Sequence, residues 1–365
     1  MIETHPGQII LLGSGETSPS IRKTYDWLFQ QMEKPIRNAI LETPAGFEPN
    51  SADVAGQIGE YLKKHLQNYD PQVAIIPARK RGSPFSTEDP AILEPMYGAD
   101  VLFMGPGSPT YTVRQLQNSV AWHTLQACHQ MGTTLIFASA ASLACSQQTM
   151  PVYEIYKVGE ELHWKSGLDF FGTYGLSLIF VPHWNNNDGG QALDTSRCYL
   201  GQERFGRLKS QLDAIYSDDI SSDRSGYTIV GLDEYTALCI DIREEICRVM
   251  GQGSVTIIRD DVQSVFGRGE SFPIQALGAF QIQAKSDKIP EEIWQRVQSK
   301  LAQIQAERQA VSVPTAKVVS LTEEREQARR EKNWLRSDEL RDEIEANGWS
   351  VRDTREGSIL EQLKE

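Results

Sequence analysis

Short apolar runs recur along the first 280 residues, and most are followed by a small or glycine-rich turn and then an amphipathic segment. Continuous apolar runs of this length are typical of strands buried on both faces of a parallel sheet. The pattern therefore predicts an α/β fold in which a parallel sheet lies between helical layers. The main predicted strands are Gln8–Leu12, Asn38–Leu41, Gln72–Pro77, Asp100–Met104, Thr133–Phe137, Leu176–Val181 and Tyr227–Val230.

One strand runs directly into a segment in which every side chain is small. Thr133–Phe137 is followed by Ala138-Ser139-Ala140-Ala141-Ser142, and a helix is predicted to begin there. This order is typical of a nucleophile elbow, a tight strand-to-helix turn that presents a serine hydroxyl at the carboxyl edge of a sheet. On this segment alone, a role for Ser139 as the N-cap of a buried helix fits equally well.

Two glycine-rich loops also follow predicted strands. The first, Gly13–Ser18, lacks the third glycine of a dinucleotide-binding fingerprint because Ser18 and Pro19 stand there, which disfavours NAD binding. We expect it to close over one rim of an active site. The second, Gly105–Pro109, precedes a helix, and its glycines allow close approach of the backbone to a ligand. We expect this loop to contribute to an oxyanion hole.

Two further strand ends carry side chains suited to acid–base chemistry. His183 follows the strand Leu176–Val181, and the acidic pair Asp233-Glu234 separates two strands. A histidine at a strand end is often structural, and an acid there is often a turn residue. An acid can also orient a histidine for proton transfer.

Composition and charge narrow the classes of function. The chain has 365 residues and a formal net charge of −13, which disfavours nonspecific attraction to nucleic acid or anionic membranes. No apolar run reaches the roughly 18–20 residues that span a bilayer, and the N-terminus has no basic leader. The five cysteines are scattered without a CxxC pair, which disfavours a structural zinc site. We therefore expect a cytoplasmic protein with reduced thiols and no metal.

Over about residues 8–280, these segments together resemble the S51 serine peptidases, the family of cyanophycinase and aspartyl dipeptidase. The resemblance rests on the GSGET loop, GPGSPTYTVRQL, the ASAAS elbow, the histidine of FVPHW, and GLDEYTAL. It implies the fold of the class I glutamine amidotransferases. It also implies hydrolysis of a small acidic peptide or amide, aspartyl or β-aspartyl, with no cofactor.

The resemblance implies a role for each matching residue. Ser139 takes the position of the nucleophile, His183 that of the general base and Glu234 that of the acid that orients it. Some members of the family take this acid from shortly after the serine, so Glu154 is the alternative. The order Ser, His, acid differs from that of the α/β-hydrolases.

Oxyanion donors and a substrate pocket are implied in the same way. The donors would be the N–H of Ala140 and one N–H from Gly107 or Ser108, and Arg204 and Arg207 would bind the acidic part of the substrate.

Two departures from the family leave an alternative open. Ala141 and Ser142 replace the Gly-Ala of the family's elbow, and residues 185–202 lengthen the link between the histidine and the arginines. A binding or regulatory protein that has lost the chemistry is therefore a second hypothesis. We also expect a homodimer.

We expect an S51-like catalytic domain over residues 1–285 and a charged helix and a linker over 286–319, because the composition changes from Pro290. Residues 320–365 closely resemble the C-terminal helical hairpin of cysteinyl-tRNA synthetases, including the closing residues Asp353, Thr354 and Gly357. Ser320 and Glu323 predict a capping box at the start of the first helix. HIGH and KMSKS signatures are missing, and residues 320–365 carry 9 Lys+Arg against 13 Asp+Glu. We expect a module for protein contact or oligomerisation, with tRNA contact as the alternative.

Overall fold

The computed structural model describes residues 5–218, 226–282, 286–311, 314–354 and 357–363. The chain divides into two compact units, Met1–Gln298 and Ser299–Glu365. The division falls inside the segment 286–319 that the sequence predicts as helix and linker.

The first unit alternates strands and helices before it turns to antiparallel hairpins. Its strands are β1 (Ile9–Leu12), β2 (Ile36–Leu41), β3 (Pro71–Ile76), β4 (Val101–Met104), β5 (Thr134–Ala138), β6 (Gln148–Thr149), β7 (Lys165–Ser166), β8 (Leu178–Val181), β9 (Thr228–Leu232), β10 (Thr236–Asp241), β11 (Ile246–Gly251), β12 (Ser254–Arg259), β13 (Val262–Gly267) and β14 (Ser271–Pro273). Its helices are α1 (Pro19–Phe29), α2 (Ser51–His65), α3 (Pro109–Leu116), α4 (Val120–Gln130), α5 (Ala140–Ala144) and α6 (Gly201–Asp218), and α7 (Glu291–Val311) crosses the division.

The main sheet has eight strands in the order β14-β11-β10-β1-β5-β4-β2-β3. Strands β1 to β5 in this sheet pair in parallel, whereas β10, β11 and β14 extend it in antiparallel fashion. The parallel strands were predicted from their continuous apolar runs, and every residue of β1, β4 and β5 is buried. Their carboxyl ends therefore meet along one edge.

Helices cover both faces of this sheet. On one face, Tyr25 of α1 and Leu62 of α2 pack in a cluster with Ile10 and Ile136. On the other, the ring of Phe137 lies 5.6 Å from that of Phe170, which lies 5.9 Å from Trp122 of α4. Burial of each large apolar side chain contributes about 1.5–3 kcal/mol to folding. The predicted α/β architecture, a sheet between helical layers, is confirmed.

A second sheet, in the order β13-β12-β9-β8, carries two of the predicted strand ends. Strands β8 and β9 are parallel, so their carboxyl ends lie side by side. Ile179 of β8 and Ile229 of β9 pack with Leu208 and Leu212 of α6. Between β9 and β10 the chain crosses from the second sheet to the main sheet through residues 233–235.

The second unit is built from α8 (Ala316–Arg330), α9 (Trp334–Ala346), β15 (Trp349–Thr354) and β16 (Gly357–Gln362). The helical hairpin is confirmed, whereas the antiparallel β-hairpin was not predicted. The core of the second unit includes Val318, Leu340, Ile344 and Trp349. Buried beside them, Arg325 donates two hydrogen bonds to Asp353, at 2.8 and 3.0 Å.

The predicted capping box at Ser320 is wrong. Ser320 lies inside α8, and the N-cap is Thr315, whose hydroxyl accepts a hydrogen bond from the N–H of Val318 at 3.3 Å. Thr315 directly follows Pro314, and Val318 and Leu321 already lie on the buried face of the helix. The apolar period therefore starts before Ser320, and the earlier hydroxyl caps it.

The five cysteines all lie in the part of the chain that the structure describes, and each is a buried free thiol. Burial raises the pKa of Cys128 and Cys239 to about 12, so these thiols are protonated at neutral pH. Among the described helices, none combines the length and apolar character needed to cross a lipid bilayer.

Candidate active site

Ser139 occupies a strained turn between β5 and α5. Its φ of 52° and ψ of −108° lie outside the helical and extended regions, as expected for a nucleophile elbow rather than an ordinary N-cap. Its N–H donates to the carbonyl of Leu12 at 3.1 Å, and the side chain of Ser139 makes no capping hydrogen bond to α5. The buried hydroxyl of Ser142 donates to the carbonyl of Phe137 at 2.9 Å, which ties the helix back to the strand.

His183 lies at the end of β8 and faces this serine. Its Nε2 is 3.0 Å from Oγ of Ser139, a hydrogen-bond distance. The backbone of His183 has a φ of 51°, and its N–H donates to the carbonyl of Gly13 at 3.3 Å. The two side chains are therefore joined across the two sheets.

Glu234 binds the other ring nitrogen. Its Oε1 is 2.8 Å from Nδ1 of His183, and the same oxygen accepts a hydrogen bond from the side-chain amide of Asn186 at 2.9 Å. The hydrogen bond from His183 lowers the pKa of Glu234, and Asn186 adds to this effect against the opposing effect of partial burial. Glu234 is therefore ionised at neutral pH and holds the proton of His183 on Nδ1, which leaves Nε2 free to accept one.

Two asparagines at the start of the segment 185–202, to which no role was assigned from the sequence, hold Glu234 in place. Besides the contact from Asn186, Oδ1 of Asn185 accepts the backbone N–H of Glu234 at 2.8 Å. Asn186 is 3% exposed. The clue available in the sequence was the run of asparagines directly after His183-Trp184, but Asn residues in a loop after a strand more often form turns.

The GSGET loop borders the site, as its sequence predicted. The carbonyl of Gly13 accepts the N–H of His183, and Oγ of Ser14 accepts the N–H of Tyr235 at 3.1 Å. A Cβ on Gly13 would lie 2.1 Å from the carbonyl oxygen of Asp233. Only glycine allows β1 to approach the turn that carries Glu234 this closely.

The two predicted sources of an oxyanion donor in the loop after β4 differ in their geometry. The N–H of Ser108 donates to the carbonyl of Pro44 at 2.9 Å and is therefore occupied. The N–H groups of Gly107 and Ala140 donate to no acceptor among the described residues. Gly107 has a φ of 151°, and a Cβ there would lie 2.0 Å from the Pro44 carbonyl oxygen. Of Gly107 and Ser108, only Gly107 therefore has a backbone N–H available for an oxyanion.

Glu154, the alternative acid, is directed elsewhere. Its Oε1 accepts a hydrogen bond from the hydroxyl of Thr110 at 2.5 Å and lies 3.7 Å from Nζ of Lys165. The structure therefore brings Glu234, and not Glu154, to His183.

The two arginines expected to bind an acidic substrate have other partners. Arg207 forms an ion pair with Glu203 on the surface of α6, where its side chain is 66% exposed. Arg204 donates from Nε to the carbonyl of Leu200 at 2.7 Å and from a terminal nitrogen to that of Tyr199 at 3.2 Å. The structure does not support the predicted binding of an acidic substrate by these two side chains, because backbone carbonyls and Glu203 already bind them.

The described part of the chain contains no group of three or more His, Cys, Asp or Glu side chains arranged to hold a metal ion. The chemistry that this arrangement offers is proton transfer from a serine hydroxyl to an oriented imidazole, beside two unoccupied backbone donors.

Comparison with known proteins bears on each unit. Residues 315–358 match the family described as the cysteinyl-tRNA ligase anticodon binding domain. A search of curated proteins finds no match. Among solved structures, a peptidase from an acI-B1 Actinobacterium is 20% identical, with a TM-score of 0.55 over 73% of this chain and 97% of that one. A putative peptidase E protein from Listeria monocytogenes EGD-e is 13% identical, with a TM-score of 0.41 over 72% of this chain and 98% of that one. The chain thus shares the α/β fold of the actinobacterial peptidase and has a C-terminal segment similar to an anticodon-binding domain.

Proposed function

We propose that this chain is a serine hydrolase that cleaves small peptides or amides, with Ser139 as nucleophile, His183 as general base and Glu234 as the acid that orients it. The observation that carries the proposal is the unbroken hydrogen-bond path from Ser139 Oγ to His183 Nε2 at 3.0 Å and from His183 Nδ1 to Glu234 at 2.8 Å. The fold shared with a solved peptidase agrees with it.

In this mechanism His183 removes the proton of Ser139 as Oγ attacks the carbonyl carbon of the substrate. The imidazolium that forms is stabilised by the ionised Glu234, and it then gives its proton to the leaving amine. The N–H groups of Gly107 and Ala140 bind the oxyanion of the tetrahedral intermediate, which typically contributes about 2.7–4 kcal/mol per donor. Water then attacks the acyl-enzyme by the same route.

The elbow's departure from the S51 pattern does not argue for an inactive protein. Ala141 lies inside α5 and is not among the residues with positive φ, so its methyl group causes no backbone strain. Ser142 uses its hydroxyl to brace the turn. The second hypothesis, a binding protein without catalysis, is therefore less well supported than the hydrolase.

The acidic substrate implied by the S51 resemblance needs a separate test, because Arg204 and Arg207 have other partners. A β-aspartyl dipeptide and its amide-blocked analogue differ only in charge at the aspartyl carboxylate. Faster hydrolysis of the free acid would support an acidic substrate, and equal rates would contradict it. The homodimer also stays a prediction.

The hydrolase proposal is tested with a fluorophosphonate probe, which reacts with activated serines. We expect stoichiometric labelling of the native protein, with the adduct on the peptide that contains Ser139, and no labelling of Ser139→Ala. Ser217→Ala removes an exposed hydroxyl of α6 and serves as the matched control. Absence of labelling in the native protein, or labelling that persists in Ser139→Ala, would contradict the proposal.

A second candidate function for the C-terminal unit is contact with tRNA. The turn between α8 and α9 presents Trp334, which is 56% exposed, and the guanidinium of Arg329 lies 5.6 Å from its ring centroid. Lys332 lies in the same turn, and Arg336 lies in the first turn of α9, where it forms ion pairs with Glu324, Glu339 and Glu343. An exposed aromatic ring among cations is the usual platform for an unpaired base. This local cluster favours tRNA contact despite the net negative charge of residues 320–365.

Binding of a tRNA transcript to the full chain at physiological salt tests this second candidate. Loss of one stacked base costs about 1–3 kcal/mol, so Trp334→Ala should weaken binding about 5- to 150-fold. Ile359→Ala, an exposed apolar position in β16, is the control. Equal binding by both variants, or no binding by the native chain, would exclude the base-stacking role.

A further inference from the structure

The segment that lengthens the link after His183 folds back onto the histidine. The N–H of Cys198 donates to the carbonyl of His183 at 3.1 Å, and the N–H of Arg197 donates to that of Trp184 at 3.0 Å. The guanidinium of Arg197 lies 3.8 Å from the Trp184 ring centroid and donates to the same carbonyl at 2.8 Å. The segment is therefore fastened to the strand end that carries the candidate base.

Three successive residues of this segment have left-handed backbone conformations. The φ angles of Arg197, Cys198 and Tyr199 are 59°, 58° and 68°, and none of these residues is glycine. Consecutive non-glycine residues in this region are costly, and they persist where the surrounding structure holds them. Arg204 holds this turn, because its guanidinium donates to the carbonyls of Tyr199 and Leu200.

This strained turn fixes the position of the Tyr199 ring. Its centroid lies 5.4 Å from that of His183 at an angle of 44°, and 5.8 Å from that of Tyr156, which is 44% exposed. Tyr199 itself is half-buried. The imidazole of the candidate base is therefore flanked by an aromatic surface that continues to solvent through Tyr156.

Two carboxylates lie close to the phenol of Tyr199 at this aromatic surface. Burial, together with the carboxylates of Asp188 and Glu234, raises the pKa of Tyr199 to about 12, so its phenol is neutral. The guanidinium groups of Arg197 and Arg204 keep their charge, but they stack on Trp184 and donate to backbone carbonyls. The aromatic faces thus offer contact to a planar, uncharged group, and the carboxylates of Asp188 and Glu234 disfavour a further anion beside the phenol.

We propose that Tyr199 is a specificity-determining residue whose ring forms the wall of a subsite for the leaving-group side of the substrate, and that this subsite prefers planar neutral groups to carboxylate-bearing ones. The assignment rests on the proposed serine hydrolase, because the general base delivers its proton to the leaving group and that group must lie beside His183. Tyr199 takes no part in proton transfer.

The test uses two activated esters with a common acetyl group, 4-nitrophenyl acetate and 3-carboxy-4-nitrophenyl acetate, which differ by one carboxylate on the leaving group. Rates are measured for the native protein and for Tyr199→Phe, Tyr199→Leu and the control Tyr216→Leu, each after subtraction of the Ser139→Ala rate. Active sites are counted with the fluorophosphonate probe, so that misfolded protein does not enter kcat.

The native protein should prefer the neutral ester at least tenfold in kcat/KM, with the difference in KM rather than kcat. Tyr199→Phe and Tyr216→Leu should keep this preference within about twofold, because both retain an aromatic ring at position 199. Tyr199→Leu should reduce it to less than about threefold.

Hydrolysis without a preference, or a preference that survives in Tyr199→Leu, would overturn the role of Tyr199 and leave the hydrolase intact. If the native protein shows neither Ser139-dependent hydrolysis nor labelling, the hydrolase proposal itself is wrong, and the subsite is wrong with it.

Discussion

Oε1 of Glu234 lies 2.8 Å from Nδ1 of His183, although the two residues are 51 positions apart and follow different strands. The parallel pairing of β8 and β9 brings their ends together, Asn186 donates to the carboxylate, and Asn185 accepts the backbone N–H of Glu234. The direction in which the imidazole points is therefore set by backbone topology and by two amides.

The Glu234→Gln variant tests the role of this carboxylate. The amide removes the negative charge that stabilises the imidazolium and can present an N–H to Nδ1, which favours the wrong tautomer. We expect the Ser139 labelling rate to fall by up to about 10⁴-fold, the loss in kcat that replacement of the acid causes in the Ser-His-Asp triad. Glu203→Gln, on the exposed surface of α6, is the control. A decrease of less than fivefold would mean that Glu234 has no orienting role.

The same contact predicts a dependence of stability on pH. Because the hydrogen bond from His183 lowers the pKa of Glu234 in the folded protein, folding favours the ionised carboxylate. This contribution is complete above the ordinary glutamate pKa of about 4.3 and is lost as the pH falls through the lower folded value. The difference in unfolding free energy between the native protein and Glu234→Gln should therefore shrink from pH 7 to pH 3. Urea denaturation at both pH values measures it, and a constant difference would contradict the assignment.

Ala141→Gly introduces the glycine that the S51 elbow carries at this position and tests whether the methyl group of Ala141 limits the proposed activity. Ala141 is buried in α5 without positive φ, so the substitution relieves no strain and lowers helix propensity. We expect unchanged labelling and a loss of stability of about 0.5–1 kcal/mol. Ala144→Gly in the same helix gives the reference for the stability effect. An increase in the labelling rate above twofold would show that the methyl group does obstruct the elbow.

Gly107→Ala tests the oxyanion donor that we propose after β4. A Cβ at this position would lie 2.0 Å from the carbonyl oxygen of Pro44, so the backbone must move and withdraw its N–H. Loss of one oxyanion donor typically lowers kcat about 10²–10³-fold. Gly105→Ala is the matched control, since its Cβ would meet only the flexible end of Ile58 at 2.8 Å. Comparable labelling rates in the two variants would exclude Gly107 as a donor.

The elements around the site could be predicted because their causes are local. The apolar runs of β1, β4, β5 and β8 were enough to place their strand ends, and the small residues around Ser139 indicated the elbow. The placement of Ser139, His183 and Glu234 together followed from three such ends and from a family resemblance.

The features that sequence reasoning missed depend on tertiary contacts. Arg204 and Arg207 share one face of a helix in the sequence pattern, but their partners are a backbone turn and Glu203. The left-handed turn at Arg197–Tyr199 contains no glycine that would have indicated it. The antiparallel hairpin β15–β16 is short, and half of β15 is exposed, so its apolar alternation is weak.

At residues 233–235 the chain passes from the four-stranded sheet to the eight-stranded sheet, and this affects the order in which activity and structure would be lost on heating. Ser139 belongs to the eight-stranded sheet, whereas His183 and the start of the Glu234 turn belong to the four-stranded one. A slight parting of the two sheets would separate nucleophile from base while leaving the hydrogen bonds within each sheet intact. Loss of the proposed activity would then come before melting, while the circular dichroism of the protein still reported a folded state.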